Sequence, residues 1–238
     1  MDWNKKIKIF YDGTDLSKYG SLEYIKGFTT NPTIMKNNNV SNEKYKDFAI
    51  KFLEKTRNLP VSFEVFGDNY EDMIEQAREI SSWGDNIYVK IPIINTKGVS
   101  SSKIIKKLNE EGIKLNITAI FTKDQIKIAY DSLENKNVSN IISIFSGRIS
   151  DTGIDPCEFI KYGVELTKNN SNIEILWASV REVYNIFHAI KCKCDIITVP
   201  DSIFKKVGLI EKDLDQYSLE TVKMFYEDSI KTGITFKA

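Results

Sequence analysis

The sequence is poor in the residues that metal centres and disulfide frameworks need. It holds one histidine, His188, and three cysteines, Cys157, Cys192 and Cys194. Cys192 and Cys194 lie too close together for the usual zinc pair and no second pair exists, so neither a structural nor a catalytic metal site is expected. An odd cysteine count in a chain this long fits the reduced thiols of a cytoplasmic protein better than a set of disulfides. Net charge is also missing, because Lys+Arg and Asp+Glu are both 33. Neither nucleic acid nor an anionic membrane is therefore expected as the main partner, although a local basic site for a phosphate stays compatible. No apolar run reaches membrane-spanning length, and the opening Met1-Asp2-Trp3-Asn4-Lys5-Lys6 lacks the apolar segment of a signal peptide. Neither G-x-G-x-x-G nor G-x-x-x-x-G-K-[ST] follows any strand-like run, which counts against a dinucleotide or P-loop site. No cofactor is expected. Repeats, low-complexity tracts and linkers are absent too.

What is present is alternation. Strand-like runs fall near 7–12, 26–30, 61–66, 87–93, 114–120, 141–146, 173–179 and 195–199. Helix-like runs lie between them, clearest at 42–58, 70–83, 99–111, 123–135, 156–168 and 181–190; the connection 14–24 is short and only weakly helical. Eight strands separated by helices argue for parallel β-α units, and eight is the number that closes a barrel. The alternative is an open doubly wound sheet. The expected fold is an α/β (β/α)8 barrel over about 7–208 within a single domain, 1–238. A further helical segment, about 209–238, follows, with its amphipathic run ending near Gly233; it would cap the barrel or make a subunit contact.

The stretch Ile87-Tyr88-Val89-Lys90-Ile91-Pro92-Ile93 organises the reading. At period 2, Ile87, Val89, Ile91 and Ile93 share one face, which suits packing against helices. Tyr88 and Lys90 then point into the barrel. Burial there disfavours the charged amine, lowers its pKa and leaves more free amine. Pro92 cannot donate to a ladder, so pairing is expected to weaken just beyond Lys90, near the C-terminal mouth. A strand lysine is more often a solvated edge residue, so the other strands decide. Strand one ends on Asp12, and strand two on Thr29, Thr30 and Asn31. Strand three points Ser62 and Glu64 inward, and a mid-strand carboxylate is costly unless paired. Strand five places Asn116 and Thr118 inward. Strand six carries Ser143 and Phe145 and ends on Arg148; strand seven ends on Ser179, Val180 and Arg181. Singly, each is more simply a hydrogen-bonded core polar group or a solvated loop residue. Together, an amine, two carboxylates and a threonine at like positions on four strands suit carbonyl chemistry, and two arginines suit a phosphate.

These residues resemble the transaldolase family, especially its short, single-barrel members that include fructose-6-phosphate aldolases. The matching motifs are Asp12-Gly13-Thr14-Asp15, Gly27-Phe28-Thr29-Thr30-Asn31-Pro32-Thr33, Val61-Ser62-Phe63-Glu64-Val65, Tyr88-Val89-Lys90-Ile91-Pro92, Asn116-Ile117-Thr118, Ser143-Ile144-Phe145-Ser146-Gly147-Arg148 and Ala178-Ser179-Val180-Arg181. They span about residues 7–200 in the family's order. The resemblance implies a metal-free enzyme in which Lys90 forms a Schiff base with a ketose phosphate. Asp12 would take the C4 hydroxyl proton, and Glu64, with a water held by Thr118, would shuttle the protons of iminium formation. Asn31 and Asn116 would hold donor hydroxyls, with Ser143 beside them and Thr29 also lining the substrate site. Arg148, Ser179 and Arg181 would bind the terminal phosphate. Family transaldolases look to have Glu and Phe where this chain has Glu64 and Phe145, against Gln and Tyr in the aldolases, so transfer is expected over cleavage. The Asp-Gly-Thr-Asp order after strand one, and Val180 where Phe is usual, depart from the pattern and bear on specificity.

The leading expectation is a transaldolase of the pentose phosphate pathway, with sugar-phosphate substrates. Alternatives are an aldolase of another sugar pathway and a non-catalytic sugar-phosphate-binding barrel. A homo-oligomer is expected from the tendency of the family's short members to form rings. His188 is expected to be a surface or packing residue.

Overall fold

Each strand carries aliphatic residues on one parity and mixed residues on the other, so each can serve two different interiors at once. The computed structural model describes residues 2–19 and 22–233. After a 3-10 turn at Trp3–Lys5, β1 (Lys8–Asp12) leads through α1 (Leu16–Tyr19) to β2 (Ile25–Thr29). Two helices follow, α2 (Pro32–Asn37) and α3 (Asn42–Leu53), then β3 (Val61–Glu64) and α4 (Tyr70–Ser81). The chain continues through β4 (Ile87–Pro92), α5 (Ser102–Glu110), β5 (Leu115–Ile120) and α6 (Lys123–Ser132). Next come β6 (Asn140–Ile144), α7 (Ser146–Ser150) and α8 (Cys157–Thr167), then β7 (Ile173–Trp177), α9 (Tyr184–Lys191) and β8 (Ile196–Pro200). Last are α10 (Asp201–Val207) and α11 (Leu214–Thr232). Neighbouring strands are parallel and β8 pairs with β1, closing the ring. This is the expected (β/α)8 barrel. Residues 20–21 of the first connection, Met1 and the tail's last residues, 234–238, lie outside the described residues.

The two parities build two cores. The outer one, between strands and helices, takes Ile87, Val89 and Ile91 from β4 and equivalent residues from every other strand. The inner one is small: Phe10, Tyr88, Ile141, Leu176, Ala178 and Ile196, with Phe145 packed on it. These residues plug the barrel axis. Gly27 makes the plug possible, since a Cβ there would lie 2.5 Å from the Phe10 ring. In β5 the parity flips once. Ala119 takes a left-handed conformation (φ 58°) where the β5–β6 register slips, so Ile120 joins the outer core while Thr118 stays inside.

Several expectations change at the strand ends. Residues 146–150 continue as α7, and β7 stops at Trp177, so Arg148 and Arg181 stand on segments after their strands. Asn31 belongs to a cap, its side chain accepting from the Ile34 N–H with Pro32 at the first helical position. Pro92 does not end the β4–β5 ladder: it pairs with Thr118, and the next amide, Ile93, donates to the Thr118 carbonyl. On the other side the β3–β4 register does end at Glu64 and Lys90. The reduced thiols expected from the odd count are corrected: Cys157, at the start of α8, forms a disulfide with Cys192, just beyond α9. Loop closure across 35 residues is invisible to a count. Cys194 is free and buried. His188 packs, its ring stacked on Trp177 and edge-on to Tyr184.

Helix α11 starts from an Asp213 cap and ends on left-handed Gly233. None of its residues is buried, and Leu214, Val222, Phe225, Tyr226 and Ile230 are all more than 60% exposed. No helix among the described residues is long and apolar enough to cross a membrane.

Gly27→Ala is expected to destabilise the barrel by about 1–3 kcal/mol through overpacking on Phe10. Chemical denaturation checks it, and adding Phe10→Leu should recover part of the loss.

Candidate active site

Lys90 leaves the strand on the inner parity and is 7% exposed. An isolated ammonium so placed would be costly, and two partners answer it. Its Nζ donates to the Thr30 carbonyl at 2.7 Å and lies 2.9 Å from Glu64 Oε2. The β3–β4 register places Glu64 directly beside Lys90, which is why a carboxylate is tolerated at the end of β3. Lys90 is thus an ion-paired amine rather than a lone one. Thr30 reaches it because its own hydroxyl donates to the Ser62 carbonyl, tying the end of β2 to β3.

Asp12 completes the acidic pair. It is the last residue of β1, aligned with Thr29 of β2, whose hydroxyl donates to Asp12 Oδ1 at 2.8 Å. Burial pushes the Asp12 carboxyl above the ordinary carboxylate range; the Lys90 ammonium and the Thr29 hydroxyl pull it back, and the Glu64 carboxylate adds to the rise. A second network lies across the lumen: Ser143 donates to Asn116 Oδ1 at 2.6 Å, and the Asn116 amide donates to Ser62 Oγ at 3.0 Å. All three are buried. Thr118 differs. Its hydroxyl is buried without a hydrogen-bond partner in the protein.

The cationic residues gather at the mouth by a close backbone approach. Gly147 donates its N–H to the Ala178 carbonyl, and a Cβ at Gly147 would lie 1.5 Å from the Ser179 carbonyl oxygen. Only glycine fits there. Ser179 itself is left-handed, φ 63°. The contact draws the segment after β6 against the one after β7. Arg148 sits 5.6 Å over the Phe145 ring, and Arg181 donates from Nε and Nη2 to Asp151 Oδ2 at 2.9 and 2.6 Å. Both arginines are exposed. The Arg181 backbone N–H is held by Asn185 of α9.

Sequence reasoning therefore named residues that the fold groups into three sets: Lys90 with Glu64, Asp12 with Thr29, and Asn116 with Ser143. Asn31 serves as a helix cap beside them. It missed the Thr30 carbonyl, which no side-chain pattern can reveal, and Thr198, whose hydroxyl approaches Thr29; its inward parity on β8 is the signal that marks it. A surface cavity of about 980 Å³ is lined by Lys6, Lys8, Glu174 and Asp195 among others. It opens at the opposite end of the barrel and contains none of these residues.

A closed parallel barrel with an ion-paired lysine and two carboxylates where its strands end defines a (β/α)8 enzyme of the aldolase type. Residues 9–238 match the family described as Transaldolase/Fructose-6-phosphate aldolase, and the chain belongs to that family. A probable transaldolase of Nitrosopumilus maritimus is 31% identical over 221 residues, 90% of this chain and 92% of that protein. Another, from Streptococcus pyogenes serotype M1, is 34% identical over 230 residues, 93% and 97% of the two chains. Among solved structures, the dihydrodipicolinate synthase of Thermotoga maritima aligns at a TM-score of 0.54 with 16% identity, covering 82% of this chain and 70% of that one. That likeness is one of fold.

Asp12→Asn tests the burial of the carboxyl. A carboxyl whose folded pKa is raised favours the folded state at low pH and loses that contribution as pH rises through the folded value. The variant is therefore expected to be more stable than the parent at neutral pH, the gain shrinking as pH falls through the raised folded value and vanishing below about pH 4. Urea denaturation across pH measures it.

Proposed function

We propose that the chain is a transaldolase that moves a dihydroxyacetone unit between sugar phosphates through a Schiff base on Lys90. The observation that carries this reading is the buried Lys90 amine, 2.9 Å from Glu64 inside the barrel mouth. To become a nucleophile the amine gives a proton to Glu64, then adds to the C2 carbonyl of a ketose phosphate. Loss of water from the carbinolamine leaves an iminium. Glu64 moves the protons of these steps through a water bound by the otherwise unpartnered Thr118 hydroxyl. Asp12, oriented by Thr29, takes the C4 hydroxyl proton. The C3–C4 bond breaks, its electron pair passes toward the iminium nitrogen, and an aldose phosphate leaves. The enamine on Lys90 then adds to a second aldehyde, Asp12 returns its proton to the new alkoxide, and water releases the product. Asn116 and Ser143 hold donor hydroxyls, with the amide of Asn31 beside them.

Arg148, Ser179 and Arg181 take the terminal phosphate, Arg181 exchanging part of its bond with Asp151 for it. Phe145 offers no hydroxyl to protonate the enamine, which favours transfer over release of free dihydroxyacetone. The activity suits the pentose phosphate pathway and carbohydrate metabolism in the cytoplasm, in a single domain with its barrel at about 7–208 and its helical tail at about 209–238. We also propose that a second copy of the chain covers α11. Among the described residues nothing buries its apolar side chains, and the same chain bears an apolar groove lined by Val183, Tyr184, Phe187, Leu209 and Ile210.

Borohydride reduction with fructose 6-phosphate is expected to leave a mass adduct on the peptide containing Lys90, and none in Lys90→Met. An unmodified parent peptide would sink the mechanism. Arg148→Ala and Arg181→Ala should each raise KM for phosphorylated ketoses about ten- to a hundredfold, the loss of a charge-assisted hydrogen bond, with little effect on unphosphorylated ones. A panel of ketoses also separates this reading from an aldolase of another sugar pathway. Ending the chain at Lys212 should lower the mass measured by light scattering to that of one chain.

A further inference from the structure

The two arginines at the mouth are not equally available. Arg148 lies 5.6 Å over the Phe145 ring, and a neutral ring cancels none of its charge. Arg181 instead gives two donors to one carboxylate oxygen, Nε at 2.9 Å and Nη2 at 2.6 Å from Asp151 Oδ2. That pair occupies an edge of the guanidinium whose fork geometry suits a phosphate. Both side chains are about half exposed, so the pair is solvated.

Asp151 caps the C-terminal end of α7, its N–H donating to the Gly147 carbonyl at 3.0 Å. It stands three residues after Arg148, a spacing that sets two side chains on one helix face. The carboxylate is thus a close neighbour of both cations. Helix α7 gains nothing from it, because the carbonyls of a last turn already carry negative charge. A tether between the segments after β6 and β7 is the other reason for such a pair, and that task is already met. The Gly147 N–H donates to the Ala178 carbonyl, and the Arg181 N–H donates to Asn185 Oδ1 at 2.9 Å. What Asp151 adds is charge.

We infer that Asp151 is a positioning residue that sets the strength of the phosphate site, holding the Arg181 guanidinium as a resident anion that substrate phosphate must displace. The inference rests on the proposed reaction, in which Arg148, Ser179 and Arg181 take the terminal phosphate. Displacement is easy, because a solvated ion pair shifts an equilibrium by no more than about fivefold. The displaced carboxylate stays nearby, and its charge opposes a phosphate ester carrying about −1.5 to −2 at neutral pH. Both effects weaken binding. Neither is needed to orient Arg181, since an asparagine would keep a carbonyl oxygen for its N–H groups. A weak grip suits the transfer. The site must let go of the departing aldose phosphate before the acceptor enters, and then of the product, so each turnover empties it twice.

Calorimetric titration of the substrate-free protein with inorganic phosphate reads the site without the reaction. Asp151→Asn should lower the phosphate dissociation constant about two- to fivefold, with a larger gain at low salt than at high salt. In transfer assays it should lower KM for fructose 6-phosphate by a like factor without raising kcat, as a gain in uniform binding does. The effect on unphosphorylated ketoses should be smaller. In an Arg181→Ala background the same change should gain less, because no guanidinium is left to unmask. An unmoved or raised dissociation constant in Asp151→Asn, the result expected of a tether, would overturn the inference. So would a gain of equal size with and without Arg181. If the asparagine variant does not fold, Asp151→Ser carries the same measurements. Phosphate affinity untouched by Arg181→Ala in the parent would defeat the phosphate site itself, and the inference with it. Absence of the Lys90 borohydride adduct would instead defeat the transfer reading, while the phosphate titration would still report on Asp151.

Discussion

A single buried ion pair organises the mouth of this barrel. Taking an ammonium or a carboxylate out of water costs several kcal/mol each, and that cost is offset only where partner and hydrogen bonds are in place together. Lys90 and Glu64 satisfy this by register: parallel pairing of β3 and β4 sets the two residues side by side, and the Thr30 carbonyl takes a second ammonium hydrogen. The same pairing explains why Asp12 can be held above its ordinary range without being left isolated. Its burial acts one way and the Lys90 charge acts the other. Three charges on three strands therefore depend on one another, and none would be stable in this place alone.

Backbone strain is spent where the chain must leave regular geometry to serve the mouth. Ala119 and Ser179 are both left-handed without being glycine, a conformation that costs about 1–3 kcal/mol. The first keeps Thr118 in the lumen while returning Ile120 to the outer core. The second presents a carbonyl to Gly147, so that α7, which bears Arg148, touches the segment after β7, which bears Arg181. Gly147 and Gly27 are small for different reasons: one admits a backbone, the other a ring.

Much of this was legible beforehand because the barrel's two environments write themselves into the sequence as parity. Ile87, Val89 and Ile91 against Tyr88 and Lys90 was enough to aim the amine inward, and the same alternation located Glu64, Asn116 and Thr118, whereas Ser143 came from the family motif alone. Where helices begin directly after strands the pattern fails. Only Phe145 separates β6 from α7, so no turn residues mark the change, and Asn31-Pro32 reads equally as a strand end or a cap. The Cys157–Cys192 link escaped because nothing local joins α8 to the end of α9. Thr198 escaped for a different reason: a threonine between Ile197 and Val199 is ordinary strand composition, and its hydroxyl contact is with a neighbour two strands away.

The inner plug has a further consequence. Phe10, Tyr88, Ile141, Leu176 and Ile196 block the axis, so the chamber above them is a cup, open at one rim. Traffic through a single doorway is sequential. For the proposed transfer, the departing aldose must clear the rim before the next sugar can enter, with the three-carbon fragment tethered below. Alternating visits of this kind are the kinetic pattern known as ping-pong, and here they follow from an aromatic floor.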